Sequence, residues 1–440
     1  MRAQARPRGP RGSIALALGL ASCTPAPGGG DGGSETGSSH STEGTATSGS
    51  PTSGPVTDTT PTTTGGTSSG STSTSHSSSE SSGSSGASSP CGPPCDNPWK
   101  LDHWLELDET ADFSQYACLT EVDRLYLTGD IPPDELAVFA NLRRVHGNVR
   151  LSGITALESL DSFACLQSVS TLEISDTPAL TDISGLGELR TALEITVRRA
   201  GITTLPTFAA DFGGLRAVTL EENPALADID GLAAWGTLPD FHITVRLAED
   251  PALTSIAPLA GLLAQPRTGR IVVELRSLHA LTSLAGLEPM ADPDQDAYSL
   301  ELEDLPLIPD LQPLSQLTSL VGLTLAGMPQ LASLADLGGL EAATYVRIGD
   351  CMDIPPKVGG MDGLTSLAGL DSLADVSSLT LAGNQNLDSL AGAPLIKALN
   401  VLTAGGNPAL TQATFDDFLA QLTVEPASCL GTLDNCGCEN

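Results

Sequence analysis

Leucine recurs along this chain in a fixed phrase, spelled most clearly by LTLAGNQNLDSLAG, Leu379 to Gly392. Alternation across Leu379-Thr380-Leu381 points both leucines to one face and the threonine to the other, which is the period of a strand. Gly383 and Asn384 follow as turn formers. Leu387 and Leu390, three apart, then fill the interior as the chain bends back. The phrase returns as LEISDTPALTDISGL (Leu172 to Leu186) and VTLEENPALADIDGL (Val218 to Leu232), and VLTAGGNPAL (Val401 to Leu410) repeats its first half. Equivalent strand positions fall at Leu125, Val149, Leu172, Ile195, Val218, Ile243, Val273, Leu300, Leu323, Val346, Leu379 and Leu402, usually about 23 residues apart. A period in this range predicts a solenoid, because no single coil can bury its own leucines. About twelve stacked coils would make one continuous core with one parallel sheet along a side. The return segments are short and Gly-rich, as in Asp228 to Leu232, which predicts turns and single helical turns rather than long helices.

The rest of the chain divides around this repeat. Residues 1–22 read as an export signal: Arg2, Arg6, Arg8 and Arg11 precede a short apolar core, SIALALGL, too short to span a bilayer. Residues 23–90 are dominated by Ser, Thr and Gly and cannot bury enough apolar surface to offset ordering entropy. They read as a disordered tether with a mean reach of about 45 Å. Residues 91–124 concentrate Cys91, Cys95, Cys118, Trp99, Trp104, Phe113 and Tyr116, and predict an N-terminal cap over the solenoid of residues 125–410. Residues 411–440 predict a C-terminal cap: a helix over Thr411 to Leu422 with Phe415, Phe418, Leu419 and Leu422 on one face, then Cys429, Cys436 and Cys438. Ala264 to Arg270, Glu288 to Ala297 and Cys351 to Met361 lengthen the loops.

Charge narrows the partners. The formal net charge is −33, and loss of the leader's four arginines leaves 16 basic residues against 53 acidic, or −37. Such acidity argues against nucleic acid and against anionic lipid surfaces. Nine cysteines in an exported chain suggest disulfides. Candidates are Cys91, Cys95, Cys118 and Cys165 at one end and Cys429, Cys436 and Cys438 at the other. Cys118 is expected to pair with Cys91 or Cys95, and Cys429 with Cys436 or Cys438. The spacing lacks the four ligands of a zinc site. No H-E-x-x-H or P-loop occurs, and the G-x-S-x-G string Gly66 to Gly70 falls in the Ser/Thr/Gly-rich stretch rather than between a strand and a helix, so no catalytic residue, cofactor or metal is expected. Asp292-Pro293-Asp294-Gln295-Asp296, with Glu303 at the twelfth place, resembles a calcium loop. Ala297 stands where that loop needs glycine, so a solvated acidic turn is the better reading.

Phase gives the sheet's outward row as Tyr126, Arg150, Glu173, Thr196, Thr219, Thr244, Glu274, Glu301, Thr324, Arg347, Thr380 and Thr403. It is polar, mixed in sign and carries one aromatic, unlike the stacked rings of sugar-binding surfaces. It is the candidate protein-binding face.

Two resemblances add to this. Leu20-Ala21-Ser22-Cys23 resembles the lipobox of bacterial lipoproteins, which implies cleavage before Cys23, acylation of that residue and a membrane partner through the lipid. Thr24 after it is compatible with outer-membrane or cell-surface placement. The grammar L-x-L-x-x-N-x-x-L-x-x-I-x-G-L, best carried by Asn223 to Leu226, Asn384 to Leu387 and Asn407 to Leu410, resembles the receptor L-domain type of leucine-rich repeat. That implies a right-handed solenoid with few short helices, capped at both ends, and no transferable binding residue. The expected function is a surface-tethered, non-enzymatic lipoprotein serving protein binding or adhesion, its partner unnamed. The alternatives are a structural envelope protein and a β-helical carbohydrate-active enzyme.

Overall fold

A computed structural model describes residues 91–92, 95–237, 242–265, 269–291, 298–350, 359–424 and 426–430. The expected signal, tether and Cys23, the acidic run 292–296, Cys351 and the end of the tail lie outside these residues.

The strands are β1 (Trp99–Leu107), β2 (Leu119–Thr128), β3 (Arg144–Val145), β4 (Asn148–Ser152), β5 (Thr171–Thr177), β6 (Glu194–Ala200), β7 (Ala217–Glu221) and β8 (Ile243–Ala248). They continue as β9 (Ile271–Arg276), β10 (Tyr298–Glu303), β11 (Ser319–Ala326), β12 (Ala342–Ile348), β13 (Asp375–Ala382), β14 (Val401–Gly405) and β15 (Ala427–Leu430). All lie in one sheet in chain order, with the short β3 set aside against β2. Every pairing is parallel. Parallel neighbours need a return crossover, and here it is made of turns and irregular backbone, in most coils with one short 3-10 or helical turn. The result is a solenoid-like repeat. The described α-helices are the short α1 (Leu259–Leu263) and α2 (Gln412–Ala420).

The core is the column of inward strand residues and return-loop leucines. Leu379, Leu381 and Leu387 are fully buried and Leu390 nearly so. Each such side chain contributes about 1.5–3 kcal/mol by leaving water. Toward the N-terminus aromatic rings join the column: Phe139 stacks on Phe163 at 5.9 Å, with Phe113 edge-on at 6.5 Å. Trp99 and Tyr116 pack against the same core, while Trp104 is 56% exposed. The expected cap segments thus contribute strands of their own, β1 and β15, to the sheet. On α2, Phe415 and Phe418 are buried, and the Thr411 hydroxyl caps the helix by accepting from the Thr414 N–H at 3.2 Å.

Two disulfides fasten the N-terminal end. Cys95 bonds Cys118, one of the two expected partners. Cys91 instead reaches 74 residues to Cys165, which is fully buried. The pairing of Cys429 with Cys436 or Cys438 involves residues outside those described.

One register differs from expectation. Val218 aligns with Val245 and Val273, so Val245 and not Ile243 is the equivalent inward position. Arg246 therefore takes the outward place assigned to Thr244, which stands two residues earlier on the same face.

Many of the strands end on a left-handed residue, and in most of these its N–H continues the ladder to the next coil. In successive coils this residue is Asp176, Arg199, Glu222, Glu249, Ser277 and Asp304, with φ between 49° and 58°. The Glu222 N–H, for example, bonds the Ala248 carbonyl at 2.9 Å. Farther on the place is held by Gly383 (φ 69°), where a Cβ would run into the Asp350 carbonyl. Non-glycine residues are strained in this conformation, and their side chains tie the turns together. Arg199 bonds Asp176 at 2.6 Å and Glu222 at 3.2 Å. His279 meets Asp304 at 2.9 Å.

The next residue points inward and forms short side-chain ladders. Asn223 Oδ1 accepts from the Ala200 N–H at 3.1 Å, and its Nδ2 donates to the Val197 carbonyl at 3.0 Å. Asn384 repeats this toward Met361 N–H (2.9 Å) and the Ile348 carbonyl (3.0 Å). Asn407 does so toward Asn384 N–H (3.0 Å) and the Leu381 carbonyl (2.9 Å). Asp250 occupies the same place one coil after Asn223 and accepts from the Asn223 N–H at 2.8 Å.

Candidate functional site: the outer face of the sheet

Alternation along each strand leaves one side of the sheet outside the core. In register, its central row runs Glu106, Tyr126, Arg150, Glu173, Thr196, Thr219, Arg246, Glu274, Glu301, Thr324, Arg347, Thr380 and Thr403. Eleven of the twelve expected positions therefore form one line, and Thr244 is the exception. The sequence reading missed the row beside it, two residues on, which holds Arg198, Glu221, Arg276 and Glu303.

Together the two rows form a belt of ion pairs running across the strands. Arg198 meets Glu221 at 3.0 Å. Arg246 bridges Glu221 at 3.1 Å and Glu274 at 3.0 Å. Arg276 meets Glu301 at 2.6 Å and Glu303 at 3.3 Å. Arg347 contacts Asp350. Ser299 and Thr324 are buried on this nominally open face, and the Arg270 guanidinium donates to the Ser299 hydroxyl. A side chain at Gly322 would run into the Tyr345 ring. Burial pushes the Glu303 carboxyl up, and the nearby Arg276 guanidinium only partly opposes that. Asp176, at the edge of the belt, is held below the usual carboxylate range by the hydrogen bond from Arg199.

The two ends of the face differ. Toward β13 and β14 it carries Ser378, Thr380, Thr403 and the exposed Val401, with Ala382 and Gly405 buried beyond them, a surface without charge. At β1 and β2 it carries Trp104 beside Arg124 and Glu106 beside Tyr126. A surface depression of about 500 Å³ opens there, lined by Trp104, Glu106, Asp108, Thr110 and Thr128 among others. Trp, Tyr and Arg are the residue types that dominate protein-interface energetics.

Among the described residues, no three His, Cys, Asp or Glu side chains are placed to hold a metal ion together. Among them also, no helix is long and apolar enough to cross a membrane. A scan against protein-family models finds no match for this chain, and a search of the curated proteins finds none.

Proposed function

We propose that the protein is a surface-tethered, non-enzymatic binding protein that docks a protein partner on the outer face of its sheet, centred on the β1–β2 end. In this reading the repeat is a right-handed, receptor L-domain-like leucine-rich solenoid. Cys23 carries the lipid, and residues 23–90 hold the solenoid away from an outer membrane or cell surface. The observation that carries the reading is the pre-ordered face itself. Its charges are already fixed by one another across the strands. A partner therefore meets a surface with little ordering entropy left to lose, and exposed Trp104, Arg124 and Arg150 with half-buried Tyr126 stand at one end to anchor it.

One observation favours a second reading. Glu301 and Glu303 flank Arg276, and carboxylates around an arginine are what a carbohydrate-active site on this face would use. Both carboxylates are already bound to that guanidinium, and the Glu303 side chain is only 9% exposed. The binding reading is stronger for that reason.

A photo-reactive residue placed at Tyr126 in intact cells tests it, with one at the exposed return-loop residue Asp161 as control. The binding reading expects a protein adduct from position 126, none from 161, and loss of the adduct on Trp104→Ala with Arg150→Ala. Equal labelling from both positions, or none from either with the protein still displayed, supports a purely structural role. Hydrolysis of a polysaccharide that disappears on Glu303→Gln supports the enzyme. The anchor is tested separately: Cys23→Ser must abolish incorporation of labelled fatty acid and release the chain.

A further inference from the structure

The inward turn position holds an amide at Asn223, Asn384 and Asn407, and in each the Nδ2 donates to the carbonyl of the inward strand residue one coil back. Each acceptor is the register partner of the strand residue three positions before the asparagine, and for Asp250 the corresponding residue is Leu220 on β7, the partner of Leu247. Asp250 is fully buried. Its Oδ1 makes the bond that Asn Oδ1 makes, to the preceding coil's N–H. Its Oδ2 is buried with no partner among the described residues. An ionised carboxylate has no hydrogen to offer there, and two acceptors would face each other. A carboxylic acid has the one hydrogen required.

We propose that Asp250 stands in the ladder as a neutral acid whose Oδ2–H donates to the Leu220 carbonyl, making the β7–β8 joint a pH-sensitive seam that is tight in acid and loosens as the proton leaves to solvent. The charged groups around it agree. Glu221 on β7 and Glu249 on the turn before it both disfavour a second negative charge. Glu222 is tied to Arg199, Arg246 on β8 is shared between Glu221 and Glu274, and Arg276 on β9 is held by Glu301 and Glu303. Among the described residues, these arginines are committed to other carboxylates, and the charges that act on Asp250 are the two glutamates. Burial pushes this carboxyl up from 3.8 to about 7. A raised acid binds its proton more tightly when folded, so its contribution is complete below about pH 4 and lost as pH rises to about 7.

The test compares the full chain with Asp250→Asn, which supplies the missing donor at every pH. Amide hydrogen exchange over 217–228 and 243–253 is measured at pH 5 and pH 8 and corrected for the intrinsic pH dependence of exchange. The wild-type chain is expected to lose at least tenfold protection between the two. Asp250→Asn is expected to change less than twofold and to match or exceed wild type at pH 8. The variant comparison also removes the general effect of the chain's acidity, which both share. A parallel fall in the two chains, or lower protection of Asp250→Asn at pH 5, overturns the proposal. Infrared spectroscopy gives a reading that does not depend on the variant's stability. At pH 5 the wild-type chain must show the carbonyl stretch of a protonated buried carboxyl that fades toward pH 8. Isotope-labelled aspartate must shift that band, and a chain showing no such band overturns the proposal outright.

Discussion

Toward β12–β14 in the stack the buried turn position is filled by Asn384 and Asn407; at β7–β8, in the middle of the sheet, it is filled by Asn223 and Asp250. The two ladders share their acceptor geometry but not their donors. Asn384 Nδ2 reaches both the Ile348 carbonyl and Asn407 Oδ1, and Asn407 Nδ2 reaches the Leu381 and Gly405 carbonyls. Asp250 leaves one oxygen unpartnered. Between them, Leu278, Leu305 and Met328 occupy the same place as plain hydrocarbon and are fully buried. The comparison teaches that the position is defined by shape first. Polar residues are accepted there too, fully partnered at Asn384 and Asn407, but with one buried oxygen unpartnered among the described residues at Asp250 and at Thr177.

The largest expected effect comes from removing the amide at the complete ladder while keeping its volume. Asn384→Leu strands the Met361 N–H, the Ile348 carbonyl and part of Asn407, and should cost about 2–4 kcal/mol in denaturant unfolding. A cost below about 0.5 kcal/mol would mean that the ladder bonds add nothing beyond packing. At the incomplete ladder the sign reverses. Asp250→Asn should stabilise the chain by about 1–3 kcal/mol at pH 8 and by little at pH 5, as the unfolding midpoint at the two pH values will report. Away from the ladders the effects shrink. Arg246 and its partners are partly solvated, so a double-mutant cycle with Glu274 should give about 0.2–1 kcal/mol and weaken in added salt. A coupling several times larger would make the belt a structural element on a par with the ladders. Smallest of all, Thr380→Ala on the uncharged end should stay within about 0.5 kcal/mol. A larger loss would show that the threonine row holds the sheet together.

Much of this was legible in the residues, and the exceptions have physical causes. Leu-x-Leu followed by a turn marked each strand because one face of the sheet is buried. The slip from Val245 to Ile243 arose because Ile243, Val245 and Leu247 are all buried. A strand with three inward aliphatics looks the same when moved by two residues. The ladder's weak member was also written in the chain. Asp250-Pro251-Ala252-Leu253 copies Asn223-Pro224-Ala225-Leu226 with acid for amide, but only burial tells a solvated aspartate from a sequestered one. The ion-pair belt was half visible. The central row was read correctly at eleven places, and the row beside it escaped because pairs such as Arg246–Glu221 run diagonally between strands. Cys91–Cys165 could not be read at all, since cysteine spacing does not encode which coil lies under the N-terminal segment.

Cross-linking across β7 and β8 probes the in-register stacking of coils most directly. Neighbouring parallel strands lie about 4.8 Å apart, within the Cα range of a disulfide, whereas positions offset by two residues are about 8 Å apart. Thr219→Cys with Arg246→Cys should oxidise to a bond joining positions 219 and 246, identified by mass spectrometry of the linked peptide, and Thr219→Cys with Thr244→Cys should not. Efficient bonding of 219 to 244, with none between 219 and 246, would contradict the stacked parallel register on which the ladders, the outer face and the proposed binding surface all rest.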